Sequence, residues 1–308
     1  MNEIITSDDL EGFPWERGKP STILYRDIPR ETYDAIDAAN YSRLKIMHAQ
    51  SPLHVLERDD KRTKALSLGQ IAHSLILEPE RAATDLIILP ELRERANTNA
   101  AKAQLVDALS KALVVEPQWG GEKAEGKRLD HALGVLRQII DERGMQEVSA
   151  DQHYAAERMR DSVMRHPYIG PQLEDFDAEV TAVAKDPATG VLCKIRIDAL
   201  PIGHRSLIDL KTTGKPATVE EFYWDVRRYY YDLQAVLYPR IYREVVGESA
   251  PWIWAVVESE RPWACQAFEP SPETHQRGMV RLNRALELWA ECLETGSWPG
   301  YQTGVVQV

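Results

Sequence analysis

Two apolar-alternating runs lie within residues 192–214, LCKIRIDALPIGHRSLIDLKTTG, and each carries a carboxylate where a core residue is expected. Asp198 ends the first run; Asp209 sits inside the second, with Lys211 two residues on. Side chains alternate across a strand with period two. Cys193, Ile195 and Ile197 therefore share one face, and Lys194, Arg196 and Asp198 the other. Likewise Leu207, Asp209 and Lys211 share a face, with Ile208 and Leu210 opposite. A hairpin whose polar faces coincide brings Asp198, Asp209 and Lys211 onto one surface. Clustered carboxylates repel unless something neutralises them. A hard divalent cation does so, and Mg2+ is typically held by one or two carboxylates together with water and phosphate oxygens. A lysine beside such a site stabilises charge developing on a phosphate, or positions or deprotonates the attacking water. A single acid on a strand is more often a turn residue or one half of a weak surface ion pair. Here both acids interrupt otherwise apolar strands on a shared face, which favours a functional site.

The elements that must carry these residues follow from pattern. Residues 1–40 are polar and proline-punctuated and predict a loosely ordered arm. YSRLKIMHAQ predicts a helix capped by Ser42, broken at Pro52. ALSLGQIAHSLILEPE predicts a largely buried helix through Leu66, Leu68, Ile71, Leu75 and Ile76. Residues 96–145 alternate helical pattern with the break EPQWGGEKAEG, and a further helix spans about Asp151 to Met164. The texture then changes. DAEVTAVAKDPATGVLCKIRIDALPIGHRSLIDLKTT reads as three strands joined by short turns, an antiparallel meander. One long helix is expected over TVEEFYWDVRRYYYDLQAVLYPRIYREVV. Strands PWIWAVVES and WACQAFEP follow, then an amphipathic helix capped by Ser271 or Thr274. This order describes an α/β fold: a mixed central sheet flanked by helices, with a helical N-terminal part. The expected organisation is an arm (1–40) and one domain (41–308), helical over 41–170 with its α/β core over 171–308.

Composition narrows the function. The 308 residues include 37 basic and 48 acidic side chains, a net charge of −11. That argues against a uniformly basic surface but permits a local basic groove. The three cysteines, Cys193, Cys265 and Cys292, form no C-x-x-C pair. They imply neither a disulfide framework nor a four-cysteine zinc or iron–sulfur site, and suggest a reducing compartment. The acidic N-terminus has no apolar signal region, and no run reaches membrane-spanning length. A cytoplasmic location and no membrane partner are expected.

Asp198 followed by Asp209-Leu210-Lys211, on two strands joined by a short turn, resembles the core of PD-(D/E)XK nucleases. Ile197 stands where that motif has proline, and the second acid is Asp rather than Glu. YDLQAVLY resembles the Q-x-x-x-Y motif of the RecB-like branch, with Gln234 and Tyr238 on one helical face. SLGQIAHSLILEP resembles that branch's G-x-x-x-H helix, whose histidine corresponds to His73. Glu179 in DAEVTAV matches the position of an extra acid on the preceding strand. Together with YSRLKIMHAQSPLHV, DLKTT and WAECLETGSWPGY, these segments resemble the exodeoxyribonuclease VIII (RecE-type) domain of phage origin, over about Ser42 to Tyr301.

The resemblance implies a restriction-endonuclease-like core and a Mg2+-dependent 5′→3′ exonuclease acting on linear double-stranded DNA, with Mn2+ able to substitute. It implies a 3′ strand left for a single-strand annealing partner in phage-type recombination, and a toroidal tetramer threaded by DNA. The implied metal ligands are His73, Asp198, Asp209 and the Leu210 carbonyl. Lys211 would support the nucleophile or the transition state, and Gln234 and Tyr238 would orient the scissile strand. Arg227, Arg228 and Lys215 are candidate phosphate contacts, and RRYYY offers rings for base stacking. Two alternatives remain: a catalytically silent DNA-binding phage accessory protein on the same fold, and a RecB-like endonuclease. An iron–sulfur relative is disfavoured by the cysteine count.

Overall fold

A computed structural model describes residues 23–26, 28–58, 67–92, 95–203 and 206–301. The chain divides into two compact units, one of residues 1–61, 163–258 and 264–308, the other of residues 62–162 and 259–263.

The first unit is built on a six-stranded sheet. Its strands are β1 (Ile23–Tyr25), β4 (Phe176–Lys185), β5 (Leu192–Pro201), β6 (Leu207–Thr213), β7 (Trp252–Glu258) and β8 (Cys265–Phe268), adjacent in that order. All neighbours are antiparallel except β6 and β7. A parallel pair needs a crossover, and α9 (Val219–Tyr229) and α10 (Tyr231–Val246) supply it. Helices α1 (Arg30–Ala35), α2 (Tyr41–Ala49), α3 (Pro52–Leu56) and α11 (Pro272–Thr295) complete the unit. Phe222, Leu233, Leu237, Ile241, Leu282 and Leu286 from the helices bury against Ile195, Ile197 and Trp254 of the sheet. Gly278 lets α11 approach α10 closely, because a Cβ there would meet the Asp232 carbonyl oxygen at 2.2 Å.

The second unit holds α4 (Leu68–Leu77), α5 (Pro79–Asp85), β2 (Leu86–Leu89), α6 (Asn99–Leu113), α7 (Glu125–Glu142), β3 (Gln146–Ser149) and most of α8 (Ala150–Arg165). β2 and β3 pair in parallel. Ser67 and Gln70 form a capping box that starts α4. Leu66, expected on this helix, lies outside the described residues. Leu105, Leu109 and Leu113 of α6 meet Leu129, Leu133, Leu136 and Ile140 of α7, both sets at helical spacing.

The mixed sheet and its flanking helices match the expected α/β class. Three local expectations are corrected. Residues 23–25 and 30–35 form a strand and a helix rather than an irregular arm. Asn40, not Ser42, caps α2, accepting from the Arg43 amide at 2.9 Å. The single helix expected over 218–246 breaks at Tyr230, whose φ of 62° is left-handed. No helix among the described residues is long and apolar enough to cross a membrane.

Candidate active site

The site forms where β4, β5 and β6 lie side by side. β4 and β5 keep one register from Phe176↔Pro201 to Lys185↔Leu192, but the ladder skips the facing positions Glu179 and Asp198. Glu179 has a left-handed backbone, φ 52°. A side-chain-bearing residue there costs roughly 1–3 kcal/mol, and such strain clusters at functional positions. The break brings carboxylate oxygens of Glu179 and Asp198 within 4.8 Å of one another. Glu179 also pairs with the buried guanidinium of Arg196.

Asp198 reaches β6 as well. Its Oδ2 accepts the Leu210 amide at 2.8 Å, next to the one β5–β6 bridge at Ala199↔Ile208. Leu210 lies between Asp209 and Lys211, so the first acid leans on the peptide that carries the other two groups.

Asp209 is 2% exposed. Its Oδ2 lies 2.5 Å from Lys211 Nζ, and its Oδ1 accepts from Gln234 Nε2 at 2.6 Å. Period-two alternation on β6 accounts for the first contact, and the packing of α10 on the sheet for the second. Burial pulls the Lys211 pKa down, but the charges of Asp209 and Asp198 outweigh it, so the pKa is raised and the group stays an ammonium. That ammonium lies 4.9 Å from the centre of the Tyr231 ring.

Tyr238, one turn beyond Gln234, is buried edge-on against Trp252. Burial, then Tyr33, Asp209 and Asp198, push its hydroxyl well above the usual phenol pKa, against a hydrogen bond with Gln234. It is a neutral phenol at physiological pH.

The structure thus joins Asp209, Lys211 and Gln234 directly and pairs Asp198 with Glu179. His73 sits on α4 of the second unit, partly buried. Arg227 and Arg228 are exposed in the last turn of α9. The Lys215 ammonium is occupied by Glu221 at 3.1 Å and Asp225 at 3.4 Å, which weakens it as a phosphate contact. Sequence reasoning missed Arg196 as the partner of Glu179. The signal was present, because alternation puts Arg196 on the face of Asp198 two residues away.

The acid pair suits a hard divalent cation. Ligands at about 2.1 Å from Mg2+ place opposing oxygens about 4.2 Å apart, so the two carboxylates need little closure. All-oxygen donors of this kind suit Mg2+ and Mn2+ rather than a soft metal.

Residues 42–307 match the model of a family described as a PDDEXK-like domain of unknown function (DUF3799). Comparison with curated proteins gives no match. Among solved structures, the chain is similar to the crystal structure of a presumed exonuclease from Eubacterium rectale, at 15% identity over 87% of each chain and a TM-score of 0.52. At that identity the likeness is one of fold.

Proposed function

Because the chain belongs to the PDDEXK-like DUF3799 family, we propose that it is a divalent-metal-dependent nuclease that hydrolyses DNA phosphodiester bonds. The observation that carries this reading is the Asp209–Lys211–Gln234 constellation beside the facing acids Glu179 and Asp198. Asp198, Glu179 and Asp209, with the Leu210 carbonyl as the resemblance implies, would hold the ion, Mg2+ or in its place Mn2+. When bound, the ion supplies Lewis acidity and an activated water. Lys211 keeps a fixed positive charge where the phosphorane-like transition state gathers negative charge. Gln234 locks the Asp209 carboxylate in one orientation. Tyr238 stays protonated and holds the floor of the site against the sheet. Arg196 offsets part of the charge on Glu179, which lowers the cost of two adjacent acids before the ion arrives.

In its finer form the proposal is a 5′→3′ exonuclease on linear duplex ends that leaves a 3′ strand for an annealing partner, assembled as a ring. The RecE-like motifs around Gln234 and Tyr238 support it. A ring also suits a chain of net charge −11, since encirclement substitutes for tight gripping of each phosphate.

The test is digestion of linear duplex DNA labelled at one 5′ or one 3′ end, with closed circular DNA as control. Early release of the 5′ label in Mg2+ and an intact circle are expected, with a solution mass several times that of the monomer. Rapid nicking of the circle by a monomer would move the reading to an endonuclease. Lys211→Ala should cut the rate by about 10²–10³-fold while calorimetry still shows Mn2+ binding. Near-wild-type turnover of that variant removes Lys211 from the chemistry.

A further inference from the structure

Cations that lack carboxylate partners gather on one face of the first unit, and tyrosine rings connect them to the site. The Lys211 ammonium lies over Tyr231, whose ring centre is 5.5 Å from that of Tyr229. Tyr229 is 41% exposed, with the Arg228 guanidinium 5.6 Å from its ring centre. The Tyr229 carbonyl accepts the Tyr41 hydroxyl at 2.6 Å, and Lys45 lies over Tyr41 at 5.4 Å. Next in the chain, Tyr230 takes Arg281 over its ring at 4.6 Å and the His48 ring edge-on at 5.5 Å.

The charge on this face is unbalanced. The fully buried Asp232 is shared by two guanidinium groups, Arg277 at 2.6 Å and Arg281 at 2.8 Å. Lys45, Arg228 and Arg284 form no ion pair among the described residues. Burial, then the neighbouring Arg281 and Arg284 charges, hold His48 below the usual histidine pKa, against the opposing charge of Asp232. In a chain of net charge −11, such a concentration fits an anionic partner. A flat, exposed ring among the cations, that of Tyr229, fits an unstacked base rather than a duplex, whose base faces are hidden.

We propose that this face is a track for one nucleic-acid strand, with Lys45, Arg228 and Arg284 on successive phosphates and Tyr229 as a platform for a base. The ring contacts give the track a path to the site, from Tyr229 through Tyr231 to Lys211. The role as a feed to cleavage rests on the nuclease reading above; the strand binding does not.

Fluorescence anisotropy in chelator, with a labelled single strand of about 20 nucleotides, tests the track without hydrolysis. The triple variant Lys45→Ala, Arg228→Ala, Arg284→Ala should lose at least about tenfold in affinity. Its slope of log affinity against log salt should become shallower by about 2, near 0.7 for each phosphate contact. Tyr229→Ala should lose about tenfold with the slope unchanged, because stacking releases no counterions. A charge-preserving triple, Lys45→Arg, Arg228→Lys, Arg284→Lys, should bind within a few-fold of wild type and shows that the loss is one of charge, not of folding. Equal binding by wild type and the alanine triple overturns the proposal, as does a wild type that binds no strand at low salt; a protein partner would then be the occupant of this face. Strand binding without Mg2+-dependent cleavage sinks the nuclease reading and leaves the track. Cleavage with unaltered strand binding in the alanine triple does the reverse.

Discussion

The two units bury very different material. In the second, α6 and α7 meet through leucines and isoleucine, and Ser110 is its one buried polar side chain among the described residues. In the first, Lys194, Arg196, Asp209, Asp232 and Gln234 are all buried in or beside the same sheet-and-helix core. Charges inside a protein cost several kcal/mol each to desolvate, and an apolar replacement is often as stable or more so. The first unit therefore carries charge that stability alone does not require. Two of these groups, Asp209 and Gln234, touch each other at the candidate site, and Arg196 touches the acid beside it. The contrast separates a core selected for packing from one that also holds chemistry.

The contrast breaks most visibly at Asp232. It is fully buried and satisfied by Arg277 and Arg281. Asp232→Ala strands two guanidinium groups against α10 and should destabilise the first unit by about 3–5 kcal/mol in chemical denaturation. A loss below about 1 kcal/mol, the range of an exposed pair, would mean that solvent reaches these arginines and that the ionic core is nominal. The matching cut in the second unit is Leu136→Ala, at a side chain 1% exposed between α6 and α7. It should cost about 2–5 kcal/mol by leaving a cavity. Because no site acid lies on α7, Mn2+ affinity measured by calorimetry on the folded variant should match wild type. A parallel loss of Mn2+ affinity would show that the apolar unit sets the geometry of the site.

Much of this is legible in the sequence, and for a physical reason. Strand alternation depends only on period two, so the sequence alone puts Asp209 and Lys211 on one face. Helical spacing does the same for Gln234 and Tyr238, and α10 indeed sets Gln234 on Asp209. The chain's own backbone exceptions are illegible. Glu179 and Tyr230 adopt left-handed φ without being Gly or Asn, so the ladder break opposite Asp198 and the turn between α9 and α10 leave no local signature. Asn40 and Ser42 are both good capping residues two positions apart, and composition cannot choose between them. β1 escapes notice because three residues carry too little periodicity. Alternation puts Arg196 on the face of Asp198, but its choice of Glu179 as partner also depends on β4 lying next to β5, a long-range fact.

Lys194 tests the comparison more gently, through pH. Its ammonium lies at the end of α1 and donates to the carbonyls of Tyr33, Asp34 and Ile36 at 2.6, 3.2 and 2.8 Å. Burial, reinforced by the Arg43 charge, lowers its pKa from 10.5 to about 8. The sign follows from proton counting. Below pH 8 both folded and unfolded chains hold this proton, and the folded state bears the full cost of the buried charge. As pH rises through the folded pKa the native lysine releases its proton while the unfolded one keeps it. The unfolded state then binds more protons, so the Lys194 contribution to stability increases with pH up to the unfolded value. Lys194→Met removes that titration. The stability of wild type minus variant should rise by about 1–2 kcal/mol between pH 8 and about 9.5, read from urea melts at each pH. Taking the difference cancels the tyrosines and thiols that titrate in both proteins. A flat difference would mean that the three carbonyls hold the charge as well as water does, so that this buried cation costs the first unit nothing. A falling difference would mean that they hold it better, and the argument that the unit carries charge at a cost would then rest on Asp209, Asp232 and Arg196 alone.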